Sequence, residues 1–214
     1  MSKSLIGNGT AISRAILKAL VPALAAGLLL AVPASAQMSE GYKFLEAVKK
    51  KEGEKVEQAL ADSPQIVNTR DVTSGETALH LVTERRDLTW LQYLVAKGAN
   101  VNLADSHGRL PLQLAVNLGW REGAQYLIAR GSRTDYSNDA GETPLITAVH
   151  RRDMDLMKAL LQAGADPDRS DNSGRSARDY AKLATNSEAL LSTIQTYAKK
   201  GAAKAAKPVY GPVF

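Results

Sequence analysis

The chain holds three histidines, His80, His107 and His150, and no cysteine in its 214 residues. His80 has the surroundings most like a site. It lies in "SGETALHLVTERRD", Ser74 to Asp87, four residues after Glu76 and four before Glu84. A histidine bracketed by carboxylates could pass protons or hold a metal, since imidazole titrates near neutrality. Such chemistry needs partners brought to one point. His107 precedes a glycine and His150 ends an apolar stretch, so the three share neither a common place nor metal-ligand spacing, and cysteine ligands are missing. Neither a G-x-S-x-G elbow nor a G-x-x-x-x-G-K-[ST] phosphate loop occurs. Carboxylates are plentiful but scattered. This pattern points away from an enzyme, a metal protein or a cofactor site.

The elements that position these residues follow from an internal period. Gly75, Gly108, Gly141 and Gly174 stand 33 residues apart, followed by "GETALHLV", "GRLPLQLA", "GETPLITA" and "GRSARDYA". A second glycine comes 23 residues after each of the first three, at Gly98, Gly131 and Gly164. Apolar clusters lie between them at helical spacing, such as Leu91, Leu94 and Val95, or Leu156, Met157, Leu160 and Leu161. A short helix is expected after each Thr/Leu-Pro/Ala-Leu step, because proline suits the first helical turn and threonine caps its free amides. A second helix should then end at the second glycine in a left-handed cap. Neither helix can bury its apolar face alone, and stacked neighbours can.

The period, the intact Thr143-Pro144-Leu145, and the "GANVN" and "GADPD" repeat endings resemble the ankyrin repeat family. The resemblance covers about residues 72–185 well and 41–71 with less fidelity. It implies an all-α solenoid of helix-turn-helix units with β-turn tips. Repeats fall at 72–104, 105–137 and 138–170, between a divergent repeat at 41–71 and a divergent cap at 171–200, where Ser176-Ala177-Arg178 replaces Thr-Pro-Leu. His80 then has the equivalents Gln113, Ile146 and Asp179, and the family implies a structural histidine bonded to a neighbouring turn.

The resemblance also implies a concave groove of turn tips and first helices that binds a partner protein. The residues it places there as binding candidates are Arg85, Arg109, Trp120, Glu142, His150 and Arg151. Arg85-Arg86 and Arg151-Arg152 occupy equivalent places two repeats apart, with Leu118, Gly119 and Trp120 between them. That ridge has the composition of an interface hot spot. Equally, Trp120 could pack on the adjacent helix beneath arginine stems. No cofactor is implied, and a monomer is expected.

The ends differ from the middle. Lys3, Arg14 and Lys18 precede an apolar run from Ala19 that finishes in Ala34-Ser35-Ala36, with no acid before Glu40. Residues 1–36 therefore read as a secretory signal peptide cleaved before Gln37, and the domain at 37–200 as periplasmic or secreted. An uncleaved membrane tether for a structural scaffold is the alternative, against which Pro22 and Pro33 interrupt the run. Cleavage leaves 24 basic against 22 acidic residues, reducing the formal charge from +5 to +2 and leaving no case for nucleic acid. With no disulfide available, packing alone must hold the fold. The Lys49-Lys50-Lys51 run reads as the solvated face of a cap or a docking patch. Residues 201–214, "GAAKAAKPVYGPVF", have the composition of a disordered tail, with Tyr210 and Phe214 as possible short-motif anchors.

Overall fold

The computed structural model describes residues 34–185 and 187–205, with side chains placed over 40–185 and 187–198. Residues 1–33, nearly all of the expected signal segment, and 206–214, with the paired aromatics, lie outside the described residues. The repeats lie in the unit that begins at Ser39.

Five helix pairs follow one another: α1 (Ala34–Lys50) and α2 (Gly53–Asp62); α3 (Ala78–Glu84) and α4 (Leu88–Ala96); α5 (Pro111–Asn117) and α6 (Arg121–Ala129); α7 (Pro144–His150) and α8 (Met154–Gln162); α9 (Ala177–Leu183) and α10 (Ser187–Ala205). A 3₁₀ turn, Pro64–Asn68, follows α2. Among the described residues there are no named strands, only isolated bridges at Arg70–Thr77 and Ser170–Ser176. The helical solenoid expected from the 33-residue period is the fold that forms.

The first helices begin as their sequences require. Pro111 and Pro144 occupy the opening turns of α5 and α7, and the Thr143 hydroxyl accepts the Ile146 amide at 3.3 Å. At α9 the departure from Thr-Pro-Leu changes little locally, because Ser176 and Asp179 form a reciprocal capping box. The last pair is thus a regular repeat at its start and a cap only at its end. α10 runs to Ala205, five residues into the segment read as disordered tail. Its Ala- and Lys-rich composition is compatible with a continued helix once four turns precede it.

The first four pairs reverse through one device. Lys51, Arg86, Gly119 and Arg152 all take left-handed backbone, with φ of 59, 55, 66 and 54°. The next residue's amide then bonds to the carbonyl five residues back, as in Asp87 to Val82 and Asp153 to Ala148, both at 3.0 Å. Gly98, Gly131 and Gly164 end the second helices at φ of 92, 84 and 101°, as expected from their spacing.

Stacking buries one continuous core, with Leu79, Leu112 and Leu145 repeating in the first helices and Leu94, Leu127 and Leu160 in the second. The turn tips are stitched by backbone bonds: the Ser106 amide to the Ser74 carbonyl at 2.9 Å, Asp139 to His107 at 3.2 Å, and Asn172 to Ala140 at 3.1 Å. Asparagines clamp the other end. Asn68 accepts the Asn100 amide at 2.7 Å and donates to the Gly98 carbonyl at 3.3 Å, and Asn102 does the same with Arg133 and Gly131 at 2.9 and 3.0 Å.

Candidate protein-binding surface

His80 has no catalytic geometry. Its side chain is 1% exposed. Nδ1 accepts the Thr77 amide at 3.1 Å and faces the Thr77 hydroxyl at 3.0 Å, while Nε2 donates to the Arg109 carbonyl at 2.9 Å. The neutral ring therefore closes a capping box at the start of α3 and ties it to the next repeat's turn. Burial pushes its pKa below the ordinary histidine value, against a smaller opposing effect of the Arg109 carbonyl. Gln113 makes a different link from the same register, donating to the Thr147 hydroxyl at 2.7 Å. His107 and His150 are both exposed and lie in different repeats.

The arginine–tryptophan ridge is a seam. Arg85 Nη1 donates to the Val48 carbonyl at 2.7 Å, reaching back to the end of α1. Its Nε lies 3.4 Å from Asp87 Oδ2, and its guanidinium sits 5.5 Å over the Trp90 ring. Arg151 likewise donates to the Asn117 carbonyl at 2.8 Å, closing over Gly119, where any Cβ would meet its guanidinium. Arg86 reaches forward to the Leu118 carbonyl at 2.8 Å. These bonds satisfy carbonyls freed at first-helix ends and place cations at the negative ends of those helices. Asp87 belongs to the same seam. Burial would raise its pKa, but the Lys51 ammonium at 2.8 Å and the Trp90 amide more than offset that and lower it.

Trp120 does not stand on the ridge. It is 6% exposed and occupies the place where Asp87 and Asp153 cap their helices. With no side-chain oxygen to cap α6, the ring instead folds onto Gly123, where even a methyl group would collide with it. Trp120 is a core residue, and its place among the binding candidates is withdrawn.

The other candidates divide. Arg109 holds the buried Asp105 carboxylate through Nε and Nη2, each at 2.7 Å. Burial acts to raise the Asp105 pKa, and the amides of Arg109 and His107 with the Arg109 guanidinium outweigh it and lower it. Arg109 therefore builds its turn. Glu142 is half-buried, and its carbonyl and amide bond the Asn138 amide and side chain. His150 is exposed at the end of α7, its ring 4.4 Å from the Tyr180 ring in an edge-on contact.

The sequence reading missed two residues. One register of the first helices carries Glu84, Asn117, His150 and Leu183, and the inner one Leu81, Leu114, Thr147 and Tyr180. At its C-terminal end this face becomes apolar and aromatic: Leu183 is 69% exposed, and Tyr180 is fixed by a 2.6 Å bond to Asp171. That bond, with Ser173, holds the Asp171 carboxyl well below the ordinary carboxylate range. Arg152 is exposed nearby in register and, among the described residues, its guanidinium has no partner. The period itself could have found Leu183 and Tyr180 had the last repeat not been set aside as a cap. Among the described residues no three His, Asp or Glu side chains converge on a metal position.

Two family models match the chain. One for ankyrin repeats in three copies covers residues 44–138, and one for ankyrin repeats in many copies covers 127–181. An ankyrin repeat protein of fowlpox virus (strain NVSL) is 36% identical over 59 residues, which is 28% of this chain and 17% of the viral one. This chain thus spans less than a fifth of that relative. The helix pairs, their left-handed reversals and the two family matches together place this chain in the ankyrin repeat family.

Proposed function

We propose that this protein is an exported, non-catalytic binding module that holds a partner protein in its groove, at the C-terminal half. Ankyrin repeats are protein–protein interaction modules. The observation that carries the location is Leu183, a leucine left 69% exposed beside the His150–Tyr180 pair. An exposed leucine alone means little. Here it is one helical turn from a tyrosine held by Asp171, and Arg152, without a side-chain partner among the described residues, stands just past the end of α7; tyrosine and arginine are the residue types that dominate interface energies. The partner segment should carry an apolar side chain for Leu183 and Tyr180 and an acid for Arg152.

Export rests on the basic, apolar and Ala-Ser-Ala pattern of residues 1–36, and it makes the mature chain periplasmic or secreted. Among the described residues no helix is long and apolar enough to cross a membrane. The mature chain should act as a monomer without nucleic acid. N-terminal sequencing of the exported chain tests the first half: a start at Gln37 is expected, and Met1 would favour the tethered scaffold. Comparative capture from periplasmic extract tests the second. A protein retained by the wild type but lost by Leu183→Glu supports the groove, whereas equal retention contradicts it.

A further inference from the structure

The outer face between the first two repeats carries a second recognition feature. The second helices α2 and α4 barely touch, leaving a cleft of about 220 Å³ between them. Gly53 and Glu57 of α2 form one wall, and Thr89, Trp90 and Tyr93 of α4 form the other. The two rings meet edge to face, 5.8 Å apart at 72°. Both are only half-buried, although Tyr93 lies in the middle of a well-packed helix. At Gly53 an added Cβ would meet nothing within 4 Å, so the mouth stays wide on that side.

The chemistry of the walls is specific. Glu57 is the one acidic lining residue, and among the described residues it has no ion-pair or hydrogen-bond partner. It lies close enough to Tyr93 to act with burial, the larger cause, in raising the phenol's pKa, so the ring is neutral at pH 7. Both rings already attract cations: Arg85 lies over Trp90 at 5.5 Å and Lys97 over Tyr93 at 5.4 Å. An electron-rich aromatic corner facing a free carboxylate favours an apolar stem with a positive head. An ammonium answers this as a compact point charge on a flexible four-carbon stem.

We propose that this cleft binds a lysine side chain of a partner protein, its stem along the wall formed by Trp90 and Tyr93 and its ammonium on Glu57. The site lies on the second-helix side and does not depend on the groove reading. The full mature chain would be titrated with Nα-acetyl-lysine amide while the Trp90 indole N–H resonance is followed. The buried Trp120 resonance serves as an internal control. Three comparisons decide the matter. The analogue acetylated on the side-chain nitrogen carries no charge. Glu57→Gln removes the counter-charge from an exposed position. Gly53→Leu fills open space at a helix start, so it blocks the mouth without a clash. The proposal expects a saturable Trp90 shift, weakened about three- to five-fold in Glu57→Gln, as befits an exposed ion pair. The shift should be lost with the acetylated analogue and in Gly53→Leu. No saturable shift, or one that survives acetylation or the Gly53→Leu block, overturns it. An equal response to free cadaverine but none to lysine peptides would also overturn it, by making the cleft a polyamine site.

Discussion

Asp135→Asn should make the protein more stable, and the repeat register says why. Asn68 and Asn102 each clamp the following repeat twice, accepting an amide hydrogen and donating to a glycine carbonyl. Asp135 is the third residue of this series and accepts the Asp166 amide at 2.8 Å. As a carboxylate it has no hydrogen to give the Gly164 carbonyl. Burial raises its pKa, the Asp166 charge adds to this, and the Asp166 amide and Arg169 oppose it. An asparagine would restore the missing donor and remove the repulsion from Asp166. One partly buried hydrogen bond contributes about 1 kcal/mol. For a domain of this size that is roughly 2–4 °C in Tm. A raised folded pKa also fixes the sign with pH. The protonated acid can donate as asparagine does, so its contribution is complete below the unfolded carboxyl pKa and is lost as pH rises through the higher folded one. The advantage of Asp135→Asn should be full at pH 7 and shrink as pH falls through the Asp135 pKa. Paired urea melts at pH 7 and at mildly acidic pH measure it. A neutral or destabilising effect at pH 7, or an advantage that grows toward acid, would refute the clamp.

Further substitutions separate scaffold from surface. His80→Ala should cost about 1–2 kcal/mol by breaking bonds to Thr77 and Arg109. Its depressed pKa means that wild-type stability should fall as pH drops below the ordinary histidine value, a limb that Ala removes in urea melts across pH 5–8. Gly131→Val should cost more than about 1 kcal/mol, since a β-branched residue is strained at φ 84° even in open space. Gly123→Leu should destabilise by about 1–3 kcal/mol by displacing the Trp120 ring, visible as a shifted Trp emission. Arg152→Gly should leave stability equal or raise it by up to about 1 kcal/mol, because Gly119 holds the same left-handed place, while weakening partner capture.

The 33-residue period made the fold legible, because glycine ends, proline starts and apolar spacing all agree in each repeat. The ankyrin resemblance, and not the period itself, implied that His80 bonds a neighbouring turn, as it does with the Arg109 carbonyl. The environments of the binding candidates were less legible. Register puts Arg85, Trp120 and Arg151 side by side, but it does not reveal that freed helix-end carbonyls take up both arginines. For Trp120 the clue was present: Gly123 three residues on leaves space for a ring, at a place where other repeats use a capping aspartate. Leu183 and Tyr180 were overlooked because Ser176-Ala177-Arg178 looked unlike a repeat start. Ser176 and Asp179 cap the helix as well as threonine does elsewhere.

The central claim is that the C-terminal half of the groove, and not the arginine seam, meets the partner. Hydrogen exchange on the mature chain, alone and with the protein captured from periplasmic extract, tests it most directly. Added protection should centre on residues 147–152 and 180–184, the helix ends that carry His150, Arg152, Tyr180 and Leu183. Protection confined to 48–52 and 85–87, or to the residues after 200, with none at 180–184, would contradict it.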